Sequence, residues 1–362
     1  MTILPQRHSL VSQTAAILRD EIAKGTWTEW LPGERTLCSS LQVSRNTLRA
    51  ALALVKQDGL IMGQHGSGNR ITSSGPVKRK PPYSRDVALL TPDSLERMRP
   101  TQTLWIDELR AMLSERDCRL HVFHGMQFFR PNAGPALRRL IAQNRHGCWI
   151  LALCNQGTQQ WFERHRIPCI VAGSVYEGVD LPFRDLDHRA VCRHAVGTLL
   201  GQGHRRIALI MQKSRLAGDI ESEAGYLDGL GRFAGGAEPL VRYHDSTPEG
   251  ISSVVRRLTE QRDPPTAMIV ANAFHYLTVA SRLAQLGKRV PTDISLISRD
   301  EDPFLSFVLP TPAHYNGTPR LLAKSLLRAL LELLDTGKAL RPGVRLMPEF
   351  IKGASIQTPP GA

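Results

Sequence analysis

Residues 31–71 read LPGERTLCSSLQVSRNTLRAALALVKQDGLIMGQHGSGNRI, and they combine two helical patterns, a turn and a glycine-rich segment. Leu37 and Leu41 lie one helical turn apart and predict a short helix that packs inward. QVSR then forms the turn, and the Ser44 hydroxyl group is placed to cap a further helix through Lys56. The stretch therefore predicts two helices joined by a tight turn.

The flanking segments extend this pattern into a small domain. A preceding helix is predicted from about residue 9 to residue 24. Apolar residues recur along it with the period of a helix, namely Val11, Ala15, Leu18 and Ile22. The helix after Ser44 turns four apolar residues to the same core: Leu48, Ala51, Leu52 and Val55. Gly59 helps to end that helix, and residues 60–71 predict a β-hairpin with a glycine-rich tip.

The outer face of the helix after Ser44 carries polar residues near its N-terminus. Arg45, Asn46 and Arg49 lie on this face, with Thr47 beside them. A helix N-terminus presents free backbone N–H groups and suits contact with phosphate. Arginine, asparagine and threonine in the first turns of a helix are able to reach base edges in the major groove of DNA. A solvated surface face is the alternative interpretation of the same arginines.

Residues 18–71 resemble the DNA-binding domain of the GntR family of repressors, through the LPGER turn, VSRNTLRAAL and the glycines of the hairpin. The resemblance implies a winged helix-turn-helix, dimeric binding to double-stranded operator DNA, and DNA contact by residues matching the motif. These are Arg35, Ser44, Arg45, Asn46, Thr47, Arg49, His65, Gly66 and Gly68. Two alternatives stay open: Arg35 could brace the second helix by a salt bridge, and His65 could be an exposed tip.

Positive charge is concentrated in the same region of the chain. The net charge is +13, and residues 1–85 hold 12 Lys and Arg against 5 Asp and Glu. Such a density is expected where a protein neutralises phosphates. Residues 73–85 hold three prolines among basic residues and predict an exposed linker. The predicted domains are therefore residues 1–72, the linker 73–85, and a second domain over residues 86–358.

The second domain is predicted to have an α/β fold. Apolar runs of strand length alternate with helix-length amphipathic stretches, as in VALL, CWILAL, PCIVAG, RIALIM, TAMIVA and ISLI. Such continuous apolar strands predict parallel sheets covered by helices on both faces. Ligands bind at the carboxyl ends of strands in such sheets. Asp93, Gly173, Asn272 and Asp300 follow predicted strands and are candidate positions.

Residues 86–355 resemble the effector-binding domain of the LacI/GalR family, which is similar to periplasmic sugar-binding proteins. The matching stretches are LLGQGHRRIALI, EAGYLDGL, PTAMIVAN, QLGKRVPTDISLISRDED and GVRLMPEFIKGAS. The resemblance implies two Rossmann-like lobes joined by three crossovers, a ligand in the cleft between them, and a homodimer. Together the two resemblances imply a transcription regulator, expected to be a repressor, that a small-molecule effector such as a sugar controls.

The predicted ligand residues depart from the family pattern. An arginine of the family that holds sugar hydroxyl groups corresponds here to Ser222, and a single hydroxyl group cannot replace its bidentate donors. The candidate ligand contacts are Asp300, Asn272, Asp93, Ser222 and His275, with Arg299 or Tyr276 as alternative contributors. Asp300 could instead be a structural cap or a hydrogen bond that locks the lobes. The alternative function is a constitutive DNA-binding dimer whose second domain serves dimerisation.

Several other classes of protein are not expected. No apolar run reaches the roughly 18 residues that span a bilayer, and the N-terminus lacks a secretory pattern, so a cytoplasmic protein without membrane contact is predicted. The six cysteines are scattered and predict reduced, buried thiols. Neither a metal-ligand spacing nor a catalytic motif is present in the sequence, so no metal, cofactor or enzymatic activity is expected.

Overall fold

The computed structural model describes most of the chain as two compact units. The described residues are 10–23, 26–27, 29–64, 68–72, 85–214, 216–233, 238–337 and 343–359. The two units comprise residues 1–82 and residues 83–362. His65, Gly66 and the predicted linker up to residue 84 lie outside the described residues. The domain boundaries drawn from the sequence stay predictions.

The first unit is a winged helix-turn-helix, as predicted. Its elements are α1 Leu10–Ala23, α2 Glu34–Leu41, α3 Arg45–Gln57, β1 Ile61–Gln64 and β2 Gly68–Ile71. The Ser44 hydroxyl oxygen accepts a hydrogen bond of 3.1 Å from the Thr47 backbone N–H, so the predicted N-cap of α3 is confirmed. Between α2 and α3, Gln42 adopts a left-handed conformation with φ of 52° and closes the turn.

A two-stranded wing completes this unit. Strands β1 and β2 pair antiparallel, with Ile61 opposite Ile71. Residues 29–31 join their outer edge, because the Leu31 N–H donates to the Asn69 carbonyl group at 2.9 Å. The helices and the wing share one core, formed by Ala15, Leu18, Leu31, Leu37, Leu48, Ala51, Leu52, Val55 and Ile61.

The second unit consists of two lobes, each built on a six-stranded sheet. The first lobe contains β3 Val87–Thr91, α4 Pro100–Ser114, β4 Leu120–His124, α5 Gly134–Gln143, β5 Cys148–Ala152, α6 Gln156–Arg164, β6 Cys169–Ala172 and β7 Phe183–Leu186, and later in the chain α11 Pro319–Thr336 and β13 Val344–Leu346. Its strands lie in the order β4-β3-β5-β6-β7-β13, all parallel. The central strands β3 and β5 are buried along their whole length, which explains their continuous apolar sequence.

The second lobe repeats this arrangement. It contains α7 His188–Gly201, β8 Ile207–Gln212, α8 Ala217–Phe233, β9 Leu240–His244, α9 Pro248–Thr259, β10 Ala267–Val270, α10 Ala273–Gln285, β11 Ser295–Ser298, β12 Ala313–Asn316 and β14 Glu349–Ile351. The strand order is β9-β8-β10-β11-β12-β14, and β14 alone among these strands runs antiparallel to its neighbour. Apolar clusters lie on both faces of the sheet, as the strand patterns predict.

The chain crosses between the lobes three times, as the resemblance implies. The crossings follow β7, β12 and β13. Helix α11 enters from the second lobe but packs on the first sheet, where Leu326 and Leu330 join its core. At the second crossing, a Cβ atom on Gly317 would lie 2.5 Å from the end of the Leu186 side chain, so the two crossing segments approach each other closely.

Candidate functional site

The N-terminus of α3 presents the polar face that the sequence predicts. Arg45, Asn46 and Arg49 are exposed, whereas Leu48 on the opposite face is buried. The Ser44 and Thr47 hydroxyl groups lie 2.8 Å apart and hydrogen-bond to each other at the cap. These two side chains therefore order the first turn of α3.

One carboxylate joins the two arginines of this face. Glu34, the first residue of α2, accepts a hydrogen bond from Arg45 Nε at 3.0 Å and from Arg49 Nε at 3.1 Å. The hydrogen bond from Arg45 is the main reason why the pKa of Glu34 lies below its ordinary value. The side chains of Arg45 and Arg49 are 70% and 57% exposed, against 29% for Glu34. We call this arrangement the Glu34 bridge; no pattern in the sequence indicates it.

The other described residues among the predicted DNA contacts lie on α2 and in the wing. Arg35 is exposed, and no salt bridge of Arg35 is found among the described residues, so the bracing interaction considered above has no partner there. Gly68 is exposed at the start of β2 with φ of +101°, a conformation that favours glycine. In the wing, Arg70 pairs with Glu29 at 3.3 Å.

A cavity of about 620 Å³ lies between the two lobes of the second unit. It is lined by residues that follow strands of both sheets, where α/β proteins bind their ligands. Asp93, Asn272 and Asp300 line it, as predicted for strand ends. Ser222 and His275 are described residues that do not contribute to this lining.

The Asp300 carboxylate is held by two arginines, one from each lobe. Arg299 donates to it through Nε at 2.9 Å and through Nη2 at 3.2 Å. Arg99, which precedes α4 in the first lobe, donates to it through Nη1 at 2.8 Å. Burial alone would raise the pKa of Asp300, but the two guanidinium groups hold it well below its ordinary value. The contact with Arg99 corresponds to the lobe-locking alternative for Asp300.

A second carboxylate balances the charge of these arginines. Arg299 also donates through Nη1 to Asp219 at 2.9 Å and to the Ser222 hydroxyl oxygen at 2.8 Å. Ser222 thus supports the guanidinium group of the residue that follows β11. Asp219, Arg299, Asp300 and Arg99 alternate in sign, and we call them the cleft ion chain. Sequence patterns did not identify Asp219 or Arg99, because they lie 81 and 201 residues from Asp300.

His275 and Asn272 occupy the N-terminus of α10 beside the cavity. The Asn272 side-chain oxygen accepts from the Phe274 N–H at 2.8 Å and caps the helix. His275 packs edge-to-face on His244 with ring centroids 4.5 Å apart, and both rings are buried. Burial, His244 and Arg99 lower the pKa of His275 to about 4, so its imidazole is neutral at neutral pH.

Further contacts join the lobes at the cleft. Thr101 Oγ1 lies 3.4 Å from Asp302 Oδ2, and His188 Nε2 lies 3.5 Å from Asp185 Oδ1. The side chains of the protein therefore link the two walls of the cleft directly. Any ligand that separates the walls must break or replace these contacts.

The fold and these two sites define the class of the protein: a winged helix-turn-helix unit joined to a two-lobed unit with a ligand-sized cleft. Residues 10–71 match the bacterial regulatory proteins of the gntR family, and residues 196–356 match the periplasmic binding protein-like domain. The chain thus carries a gntR-type helix-turn-helix domain followed by a periplasmic-binding-protein-like domain, as the sequence resemblances imply.

The curated relatives of the chain are named as transcription regulators. CelR of Thermobifida fusca is 29% identical over 217 residues, which is 58% of this chain and 62% of the relative. AglR of Rhizobium meliloti is 30% identical over 198 residues, 53% of this chain and 54% of the relative. The repressor CytR of Escherichia coli K12 is 27% identical over 187 residues, 51% of this chain and 54% of the relative. The chain thus spans about half to three fifths of the length of these relatives.

Solved structures share the fold at lower identity. A complex of the transcriptional regulator CelR with cellobiose aligns with a TM-score of 0.67 at 19% identity, covering 97% of this chain and all of that one. The transcription regulator CcpA of Lactococcus lactis aligns with a TM-score of 0.66 at 16% identity, covering 76% of this chain and 100% of that one. At these identities the similarity concerns the fold.

Several observations concern other classes of site. Within the described ranges, no helix is long and apolar enough to cross a membrane. In the same part of the chain, no group of three or more His, Cys, Asp or Glu residues is arranged to hold a metal ion. Five of the six free cysteines are buried, and Cys38 is half-buried. Burial raises the pKa of the Cys169 thiol to about 12, which keeps it protonated and unreactive.

Proposed function

We propose that this protein is a DNA-binding transcription regulator, a repressor, whose binding to operator DNA is controlled by a small molecule in the interlobe cleft. The observation that carries the proposal is the capped N-terminus of α3 with two exposed arginines, in one chain with a ligand-sized cleft. The relatives CelR, AglR and CytR are named as regulators, which supports this class over an enzyme. Its place of action would be on DNA in the cytoplasm.

The DNA-binding surface would be formed by α3, the LPGER turn and the wing. Arg45, Asn46 and Arg49 project from the first turns of α3, which is the part of a recognition helix that enters the major groove. Arg35 would contact a DNA phosphate from α2, and Gly68 would let the wing approach the sugar-phosphate backbone of the DNA closely. His65 and Gly66 are included in this proposal on the sequence motif alone.

The effector would bind between the lobes, where Asp93 and Asn272 line the cavity and Arg99 joins its two walls. A carbohydrate is the first class to test, since one structural relative is a complex with cellobiose. The effector acts by binding two arrangements of the lobes with different affinity, because only such a difference shifts their populations. Ser222 and His275 would act indirectly, through Arg299 and the N-terminus of α10.

A homodimer is part of the proposal. The segment between β11 and β12 exposes two large apolar side chains, Phe307 at 89% and Leu309 at 90%. Adjacent apolar side chains with this exposure are typical of surfaces that another protein covers. A symmetric dimer would present two α3 helices to successive major grooves, about 34–36 Å apart.

A constitutive DNA-binding dimer is the second candidate function. One observation favours it: the Asp300 carboxylate, a predicted ligand contact, already accepts three hydrogen bonds from Arg99 and Arg299. In that case the cleft ion chain would hold the lobes permanently, and the second unit would serve dimerisation.

Two measurements on the full chain test the proposal. Selection from a library of random double-stranded DNA, followed by fluorescence anisotropy, should give a duplex bound at least about a thousandfold more tightly than random DNA. A thermal-shift screen against sugars and related metabolites should give a compound that stabilises the protein, by about 2.7 kcal/mol at 100 times its Kd. Equal binding to all duplexes would refute the regulator, whereas a selective regulator with no stabilising compound would favour the constitutive dimer.

A further inference from the structure

The Glu34 bridge has a specific geometry. Both arginines use their Nε atoms to contact Glu34, at 3.0 Å from Arg45 and at 3.1 and 3.2 Å from Arg49. Their terminal Nη atoms have no hydrogen-bond partner in the part of the chain that the structure describes. The bridge therefore holds each guanidinium group through its Nε atom. It leaves the outer edge, formed by the two Nη atoms, free.

The free outer edge is the one that base recognition needs. An arginine reads guanine through two parallel N–H donors that face the O6 and N7 atoms. A long side chain normally loses rotamer freedom when it makes such a contact, and this loss weakens binding. A contact that holds the arginine beforehand reduces the loss. Glu34 also lies between two like charges and reduces their mutual repulsion.

We propose that Glu34 is a positioning residue that orients Arg45 and Arg49 for base recognition and so raises the selectivity of the protein for its operator. This inference rests on the proposed DNA-binding function. A carboxylate this close to DNA repels phosphates and weakens binding to every sequence. Glu34 thus reduces general affinity for DNA while it improves discrimination, and the two effects have opposite signs.

The test compares Glu34→Gln with wild type on the selected duplex and on a random duplex of equal length. Glutamine keeps the length of the side chain but removes the charge that binds both guanidinium groups. We expect binding to random DNA to tighten about twofold because one negative charge is lost. We expect the ratio of selected to random affinity to fall about tenfold, the size of one good arginine–guanine contact.

Asp58→Asn is the matched control. It removes one negative charge from the same unit and breaks a comparable exposed pair, Arg19–Asp58 at 2.7 Å, away from the predicted DNA contacts. It should keep the wild-type ratio within about twofold. If Glu34→Gln also keeps that ratio, the inference is wrong. If wild type itself shows no preference between duplexes, the proposed function fails as well, so the two failures are distinguishable.

Glu34 also stands in the first turn of α2, where a negative charge stabilises a helix. A purely structural role would lower the Tm of Glu34→Gln and leave the ratio unchanged, which would contradict the inference. Arginine-selective NMR of the free full chain gives a readout that does not depend on DNA. The Nε–H signals of Arg45 and Arg49 should resist exchange with water in wild type and lose this protection in Glu34→Gln. Equal protection in both proteins would overturn the inference.

Discussion

The two candidate sites contain the same arrangement, a carboxylate between two arginines, but one is exposed to solvent and the other is largely buried. At the surface, Glu34 joins Arg45 and Arg49, and one positive charge remains unbalanced. In the cleft, Asp300 joins Arg99 and Arg299, and Asp219 supplies the second negative charge. The surface group therefore still attracts an anion such as a phosphate, whereas the buried group is neutral without any partner.

Burial explains why the cleft contains a second carboxylate and the surface site does not. A charge removed from water must be paired, because the desolvation of an isolated ion costs several kcal/mol. Exposed pairs carry no such requirement and contribute about 0.2–1 kcal/mol. Disruption of the cleft ion chain should therefore change the stability of the fold, whereas changes at the surface group should alter the binding of DNA.

The largest expected effect comes from Arg299→Ala. It leaves Asp219 without a cation and Asp300 with Arg99 alone, so the free energy of unfolding of the second unit should fall by about 3–5 kcal/mol. Urea unfolding followed by circular dichroism measures this change. Arg110→Ala, which breaks an exposed pair with Asp107 on α4, is the control and should lose less than about 0.5 kcal/mol. Similar losses in the two variants would show that the buried network is not needed for stability.

Acidification should weaken the second unit through its buried histidines. His275 has an ordinary pKa of 6.5 and a folded pKa of about 4, so the unfolded state binds the proton more readily. The stability that the neutral ring contributes is complete above pH 6.5 and is lost as the pH falls toward 4, by roughly 3 kcal/mol at most. Unfolding of His275→Gln should depend less steeply on pH in this window. An identical pH dependence in wild type and variant would contradict the burial argument.

At the surface, Arg49→Ala should weaken binding to the selected duplex by about 1–3 kcal/mol and to random DNA by much less. Its Tm should stay close to that of wild type, because the exposed pair with Glu34 contributes little to folding. Anisotropy titrations and thermal unfolding test both parts. Equal loss on the two duplexes would remove Arg49 from base recognition.

The smallest expected effect on stability in the cleft comes from Arg99→Ala. Asp300 keeps both hydrogen bonds from Arg299, so the loss should be about 1 kcal/mol, well below that of Arg299→Ala. The lobes, however, lose a direct link, and spin-label distances between α5 and α9 should broaden. A distance distribution unchanged from wild type would show that the pair with Asp300 does not hold the lobes together.

The sequence predicted those features that depend on neighbouring residues. Ser44 as a cap and Leu48 as a core residue follow from local spacing along α3, so the helix-turn-helix was predictable. Helix α4 begins at Pro100, because proline suits the first turn of a helix and the Gln102 side chain accepts a hydrogen bond from the Arg99 N–H.

The cleft was predictable only in part. The positions of Asp93, Asn272 and Asp300 followed from the rule that ligand sites lie at strand ends. The other members of the cleft ion chain were not predictable in this way. Arg99 reaches Asp300 from the other lobe, and Asp219 contacts Arg299 from α8. An exposed helical arginine and one that crosses a cleft have the same appearance in a sequence. Their roles depend on packing between residues far apart in the sequence, and the local periodicity of the sequence gives no information about such packing.

Effector control of DNA binding requires energetic coupling between the two units, and this coupling is directly measurable. The full chain is titrated with the selected duplex, with and without a saturating concentration of a compound that raises its Tm. We expect the Kd for the duplex to change by about 5–150-fold, and the duplex to change the affinity for the compound by the same factor. A compound that stabilises the protein but leaves the Kd for the duplex unchanged would contradict effector control of DNA binding.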